Sequence, residues 1–266
     1  MTPGLLVVKL GGRALEAKHA SSELGRELAT LGHPVVLVHG GGAEVTRWSE
    51  RLGLVPRFDG GLRVTDQDTL EVAVAVLAGL ANKRLVASLR AHGVDSVGMT
   101  PVDGGVVEIL PHPDAARLGE VGRVGRVRTD LLRAHLDAGR VPVLAPIGAH
   151  EGRLLNVNAD DLAAGLAGAL VASTLVLLSD TPGVSLDGAI VSRIDAGTIA
   201  ATLAHPDVTG GMRPKLAACA AAVEAGAARA VIAAWQGPGT LSALAAGAPS
   251  GTWVERASET VARGER

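Results

Sequence analysis

The chain has 266 residues, with 25 basic and 27 acidic side chains, 35 glycines and four aromatic residues, Trp48, Phe58, Trp235 and Trp253. So few aromatic platforms exclude base stacking on single-stranded nucleic acid, and a net charge of −2 leaves no electrostatic footprint for DNA, RNA or an anionic membrane. A lone cysteine, Cys219, excludes an intramolecular disulfide or a cysteine-built metal cluster, and an apolar share of 47% argues against disorder.

The first four residues, Met1-Thr2-Pro3-Gly4, carry no secretory signal, so the expected compartment is the cytoplasm. Residues 5–10 (LLVVKL) read as a buried strand, as do 34–39, 94–99, 141–145, 174–179 and 230–234. Between them lie helical patterns. Residues 17–31 space Leu24, Leu28 and Leu31; residues 68–92 space Leu70, Val74, Leu77, Leu85 and Leu89; residues 131–138 form a shorter one. This alternation predicts an α/β protein whose parallel sheet is covered on both faces. Residues 162–179 carry no charge and approach the length of a membrane span. Their Ala/Gly-rich first half and β-branched second half predict instead a buried helix feeding a buried strand. Asp187-Gly188 predicts a two-residue hairpin, and Asp103-Gly104-Gly105 is a second hairpin signal before a β-like run at 106–110. The polar residues 258–266 are expected to fray.

Glycines cluster just after predicted strands: Gly11-Gly12, Gly40-Gly41-Gly42 and Gly183. Ligands of open α/β sheets bind at such strand ends, and glycine lets backbone N–H groups approach an anion. None of these loops is a P-loop or a dinucleotide fingerprint. Several polar residues stand nearby. Lys9 lies in an apolar strand, where it needs an anion unless the strand is an edge or its stem snorkels. Arg63, in Gly60-Gly61-Leu62-Arg63-Val64-Thr65, suits a carboxylate, or is a surface loop arginine. Asn156, Asn158 and Asp160 alternate on one side of an extended segment, with Asp160 or Asp161 able to cap the next helix. Lys215 stands near a helix N-terminus, where the dipole disfavours it unless an anion lies between. The eight histidines show no zinc-site spacing, His39 reads as structural, and Cys219 as a packed core thiol.

In order and spacing these motifs resemble the amino acid kinase family, from Val7 to about Val254. The resemblance is carried by VKLGG at 8–12, VHGGG at 38–42, GLRVT at 61–65, ANK at 81–83, NVNAD at 156–160, LSDTPGV at 178–184 and TGGM at 209–212. It is strongest to members that phosphorylate N-acetyl-L-glutamate; residues 171–173 fit only with a small insertion.

The resemblance implies a three-layer α-β-α sandwich around a central, mainly parallel sheet. It implies an N-terminal lobe, 1–172, for acyl amino acid binding and dimerisation, and a C-terminal lobe, 173–266, for ATP. The implied reaction transfers a phosphoryl group from ATP to the side-chain carboxylate of N-acetyl-L-glutamate, the second step of arginine biosynthesis. Lys9 and Lys215 would flank the moving phosphoryl group, Asp160 would hold both lysines, and the N–H groups of Gly11 and Gly41 would cradle it. Gly41, Gly42, Arg63 and Asn156 match the acyl amino acid contacts. Gly12, Asp180, Thr181, Pro182, Gly183, Val184 and Ser185, with Asp207, Val208, Thr209, Gly210, Gly211 and Met212, match the nucleotide site. No metal ligand is assigned to the protein, because Mg²⁺ would arrive on the ATP phosphates. A carboxylate acceptor with a pKa near ~4.3 is already ionised and needs no general base.

Two rivals share the fold: a kinase acting on aminoadipate or glutamate held on a carrier protein in lysine biosynthesis, and a non-catalytic nucleotide or arginine sensor. The Gly61–Thr65 and Asn156–Asp160 motifs favour the free acyl amino acid, and retention of Lys9, Asp160 and Lys215 argues against a sensor. Only eight residues precede Lys9, too few for the N-terminal helix of arginine-inhibited relatives. The expectation is a homodimer insensitive to arginine, with no nucleic acid or membrane partner.

Overall fold

The computed structural model describes residues 3–11 and 19–257. The chain opens with β1 (Leu6–Leu10), α1 (Ala20–Leu28), β2 (Val35–His39) and α2 (Gly42–Arg51). A small hairpin, β3 (Arg57–Asp59) and β4 (Leu62–Val64), leads into the long helix α3 (Gln67–Ala91). Then come β5 (Ser96–Met99), β6 (Val107–Pro111), β7 (Val121–Val127), α4 (Thr129–Asp137), β8 (Val141–Leu144), β9 (Ile147–His150) and β10 (Arg153–Val157). The remainder holds α5 (Ala159–Ala169), β11 (Thr174–Ser179), β12 (Ser185–Leu186), β13 (Ala189–Ile190) and β14 (Arg193–Asp195). It ends with α6 (Met212–Glu224), β15 (Arg229–Ala234), α7 (Thr240–Ala245) and β16 (Thr252–Glu255).

Eight strands form one sheet in the order β14-β16-β15-β11-β1-β2-β8-β5, parallel throughout except where β15 meets β16. The fully buried runs of β1, β2 and β11 occupy its centre, as uninterrupted Val/Leu strands require. Side chains alternate between the two faces. Val7 packs with Val36, Leu162 and Leu216 on one face, whereas Leu6, Val8 and Leu10 pack with Leu24, Leu85 and Leu89 on the other. The expected three-layer α-β-α sandwich is therefore present. By the same alternation Lys9 points to the Val7 face, which α5 and α6 cover. Its register neighbours Leu177 and Val38 place it mid-sheet, which removes the edge-strand alternative. Residues 162–179 are a buried helix followed by a buried strand, as expected.

Three features depart from the sequence reading. Asp103–Gly105 is a single helical turn that joins no hairpin; β6 leaves the main sheet and pairs with β7. Of a second sheet, β6-β7-β10-β9, only the β-like run at 106–110 was expected, because its strands are half-exposed and lack an uninterrupted apolar run. The third lies within α3. Residues Ala75–Ala81 form a π-helical stretch, a register change invisible to a period-3.6 pattern. By length and composition α3 could cross a membrane. Yet Leu70, Ala73, Leu77, Leu85 and Leu89 are buried in the core. Ala17 and Lys18, the start of the expected first helix, lie outside the described residues.

Candidate active site

The site grows from the C-terminal ends of β1, β2 and β10. After β10 the chain turns into α5, and Asn158 caps that helix: its Oδ1 accepts from the N–H groups of Asp160 (2.8 Å) and Asp161 (3.1 Å). Capping therefore belongs to Asn158 and not to Asp160 or Asp161, which corrects the sequence reading. The correction matters chemically, because it leaves both carboxylate oxygens of Asp160 for lysines. Oδ1 lies 2.8 Å from Lys9 Nζ, and Oδ2 accepts from Lys215 Nζ, also at 2.8 Å. Lys9 and Asp160 are buried. Burial alone would raise the Asp160 pKa, but the two lysines outweigh it and hold the carboxyl below its ordinary value. Burial lowers the Lys9 pKa, Asp160 opposes that shift and Lys215 adds to it. Two cations around one buried carboxylate leave one positive charge in excess, which suits an anionic ligand.

Above this triad runs the Gly40-Gly41-Gly42 loop. Gly41 has φ of +148°, and a Cβ there would lie 2.7 Å from Leu77 Cδ2. The backbone conformation would strain a side chain there, and Leu77 would have to swing aside. A Cβ on Gly11 would lie 2.5 Å from the Leu178 carbonyl oxygen, so β1 exits tightly against β11. His39 supports the loop from behind. Its Nδ1 donates to Gly40 O at 2.8 Å and its Nε2 accepts from Asn82 Nδ2 at 3.1 Å. Burial lowers the His39 pKa, which keeps this neutral tautomer. Asn82 also donates to Val143 O and accepts from Lys83 Nζ. His39 is structural, as expected; its partner Asn82 was legible only as part of a motif.

One pocket gathers Lys9, Gly40, Gly41, Gly42, Arg63, Asn156 and Asp160. Arg63 is buried although it follows a glycine turn, so the surface-loop alternative fails. Its Nη2 donates to Gly42 O (2.7 Å) and Thr46 Oγ1 (2.8 Å), and its guanidinium lies 4.7 Å from the Phe58 ring centre. Its Nη1 is buried without a protein partner and remains a donor for a ligand. Asn156 donates to Thr65 Oγ1 at 3.2 Å. Sequence reasoning missed Phe58 and Thr46, because nothing in their spacing marks them, and Thr65 was legible only as part of the motif at 61–65.

The second group of candidates occupies the neighbouring strand ends. Residues 180–185 follow β11 and enter the β12–β13 hairpin, which has the expected two-residue turn at Asp187-Gly188. Val184 N–H donates to Thr252 Oγ1 at 2.8 Å, which anchors this loop. Asp207 Oδ2 accepts from the Asp187 N–H at 2.7 Å, joining the loop to segment 207–212. That segment enters α6, whose first turn carries Lys215. It also adjoins the Arg63 loop: a Cβ on Gly61 would lie 3.8 Å from Gly210 O. The two halves meet at the lysine–aspartate triad. Gly12 lies outside the described residues. Cys219 is fully buried, and burial holds its thiol far above its ordinary pKa, so it is inert.

This sheet, with glycine loops and paired cations at its strand ends, defines a phosphoryl-transfer architecture. The amino acid kinase family matches residues 4–234, and the chain belongs to that family. Among its relatives, an acetylglutamate kinase of Methanopyrus kandleri is 46% identical over 237 residues, covering 85% of this chain and 93% of that protein. An acetylglutamate kinase of Geobacillus kaustophilus is 42% identical over 220 residues, covering 82% of this chain and 85% of that one. The crystal structure of smu.665 from Streptococcus mutans is 28% identical, with a TM-score of 0.81, covering 96% of this chain and 99% of that one.

Proposed function

We propose that this chain transfers the γ-phosphoryl group of ATP to the side-chain carboxylate of N-acetyl-L-glutamate, the second step of arginine biosynthesis. It is a kinase with a carboxyl group as acceptor, as its acetylglutamate kinase relatives are by name. The observation that carries the assignment to this site is Asp160, held between Lys9 and Lys215 at 2.8 Å each beside a pocket that offers the free Nη1 of Arg63.

Arg63 and Asn156 hold the substrate's α-carboxylate and amide end, with Gly41 and Gly42 closing over it. The side-chain carboxylate then reaches the triad. Its oxygen attacks the γ-phosphorus, the acyl–O–P bond forms, and the bond to ADP breaks with its electron pair leaving on ADP. No proton has to move, so the protein contributes position and charge. Lys9, Lys215 and the N–H groups of Gly11 and Gly41 neutralise charge that spreads over the phosphoryl oxygens. Asp160 fixes both lysines. Residues 180–185 and 207–212, with Gly12, hold the nucleotide. The excess positive charge fits a polyphosphate, and Mg²⁺ carried by it adds further neutralisation.

Residues 1–172 serve the acyl amino acid and self-association, and 173–266 serve ATP. The protein acts in the cytoplasm as a homodimer. Supporting the dimer is an apolar groove on the outer flank of α3, lined by Trp48, Leu52, Leu54, Val76 and Leu80, with Leu52 63% exposed.

The test is ADP release from ATP with N-acetyl-L-glutamate, free glutamate and free aminoadipate in turn. Turnover restricted to the acetylated substrate is expected. Inactivity with it, or a preference for either free amino acid, would overturn the substrate assignment.

A further inference from the structure

Thr65 follows β4 directly and is wholly buried where three segments meet. Its N–H donates to Leu118 O at 2.8 Å, and its carbonyl accepts from Glu120 N–H at 2.7 Å. The Glu120 carbonyl in turn accepts from Asn156 N–H at 2.9 Å. These backbone ties hold the end of the Arg63 strand against the end of β10.

The hydroxyl completes the junction. Thr65 Oγ1 donates to the Arg63 carbonyl at 2.9 Å and receives Asn156 Nδ2 at 3.2 Å. A hydroxyl has a single proton. With that proton committed to Arg63 O, the hydroxyl meets Asn156 only as an acceptor. The Asn156 amide must then present Nδ2 to Thr65, and the reverse orientation would set two oxygens against each other. One Nδ2 proton and the acceptor Oδ1 remain, in fixed directions, on a side chain that lines the pocket. A donor and an acceptor side by side match the carboxylate and the amide N–H of an N-acyl amino acid. No other side chain ties Arg63 and Asn156 together among the described contacts.

We propose that Thr65 is a positioning residue for the acyl amino acid: its hydroxyl, with its proton committed to the Arg63 carbonyl, sets the orientation of the Asn156 amide. The role rests on the substrate reading given above. Thr65→Val keeps the shape and removes the hydroxyl; Thr65→Ser keeps the hydroxyl. Steady-state kinetics on the full chain compare both with wild type, with Asn156→Ala, and with the Thr65→Val/Asn156→Ala double variant.

The expected result for Thr65→Val is a KM for N-acetyl-L-glutamate raised on the order of tenfold, with kcat changed less than about threefold and KM for ATP unchanged. Thr65→Ser is expected near wild type. In the Asn156→Ala background Thr65→Val should add less than about twofold, because the two act through one interaction. If Thr65→Val does not fold, Thr65→Cys replaces it and is expected to show the same KM shift to a smaller degree. A valine variant with wild-type KM overturns the proposal. So does one that loses kcat and both KM values alike without rescue by serine, or one whose effect is undiminished without Asn156. A wild-type enzyme inactive on N-acetyl-L-glutamate would instead sink the substrate reading, with the Thr65 role falling with it.

Discussion

Lys215 and Lys9 share one carboxylate but differ in surroundings. Lys215 is less enclosed and opens from α6, while Lys9 is sealed within the sheet. Lys215→Ala removes a cation that the fold does not need for its core, so a folded protein is expected. Its kcat should fall by roughly a hundredfold or more, equivalent to about 3 kcal/mol of barrier, with a lowered melting temperature because the buried Asp160 Oδ2 loses its partner. Single-turnover kinetics beside a thermal melt would check this, and near-normal turnover would remove Lys215 from the chemistry. Lys9 makes a pH prediction. Its pKa lies below the ordinary lysine value because burial disfavours its charge. The alkaline limb of kcat/KM should therefore have its midpoint below about 10.4. Asp160 acts at the other end of the scale. Its folded pKa is depressed, so its contribution to stability is complete above about pH 3.9 and is lost as pH falls through the folded value. Denaturant melts of wild type and Asp160→Asn should differ clearly near pH 7 and converge at the acid end. A gap that stays constant with pH would contradict the ion-pair account.

Among the elements, α5 and α3 do the positioning. The first turn of α5 is set by Asn158, whose side chain satisfies two backbone N–H groups that would otherwise lack partners. Asn158→Ala is expected to cost about 1 kcal/mol of stability. It should also lower kcat, because the same turn aims Asp160; urea titration and kinetics on one preparation would show both. A loss of stability with unchanged kcat would mean that the triad is held without the cap. Helix α3 contributes through its π-helical stretch. That stretch brings Leu77 under Gly41 and delivers Asn82 to His39. The element is irregular where it meets the glycine loop, in keeping with the tendency of π turns to mark functional positions.

At the scale of the whole molecule, the outer flank of α3 carries a prediction about assembly. Leu52 and Leu80 line its apolar groove, so Leu52→Glu with Leu80→Glu should turn a dimer into a monomer. Light scattering after gel filtration would show it, and a monomeric wild type would refute the proposed dimer.

The sequence alone determined the layered α/β architecture, because uninterrupted apolar strands can only be buried on both faces. It also marked Lys9, a charge in such a strand, as needing an anion unless the strand lay at an edge or the stem snorkelled, and it set glycines at the strand ends. It could not determine which residue caps α5, since Asn158, Asp160 and Asp161 are all capable caps; the hydrogen bonds of the folded chain chose Asn158. Nor could it join Arg63 to Asn156 through Thr65, or Asn82 to His39. Thr65 and Asn156 lie 91 residues apart in sequence, and His39 and Asn82 lie 43 apart. Their meeting depends on how the second sheet and α3 pack against the first, and no local pattern encodes that packing.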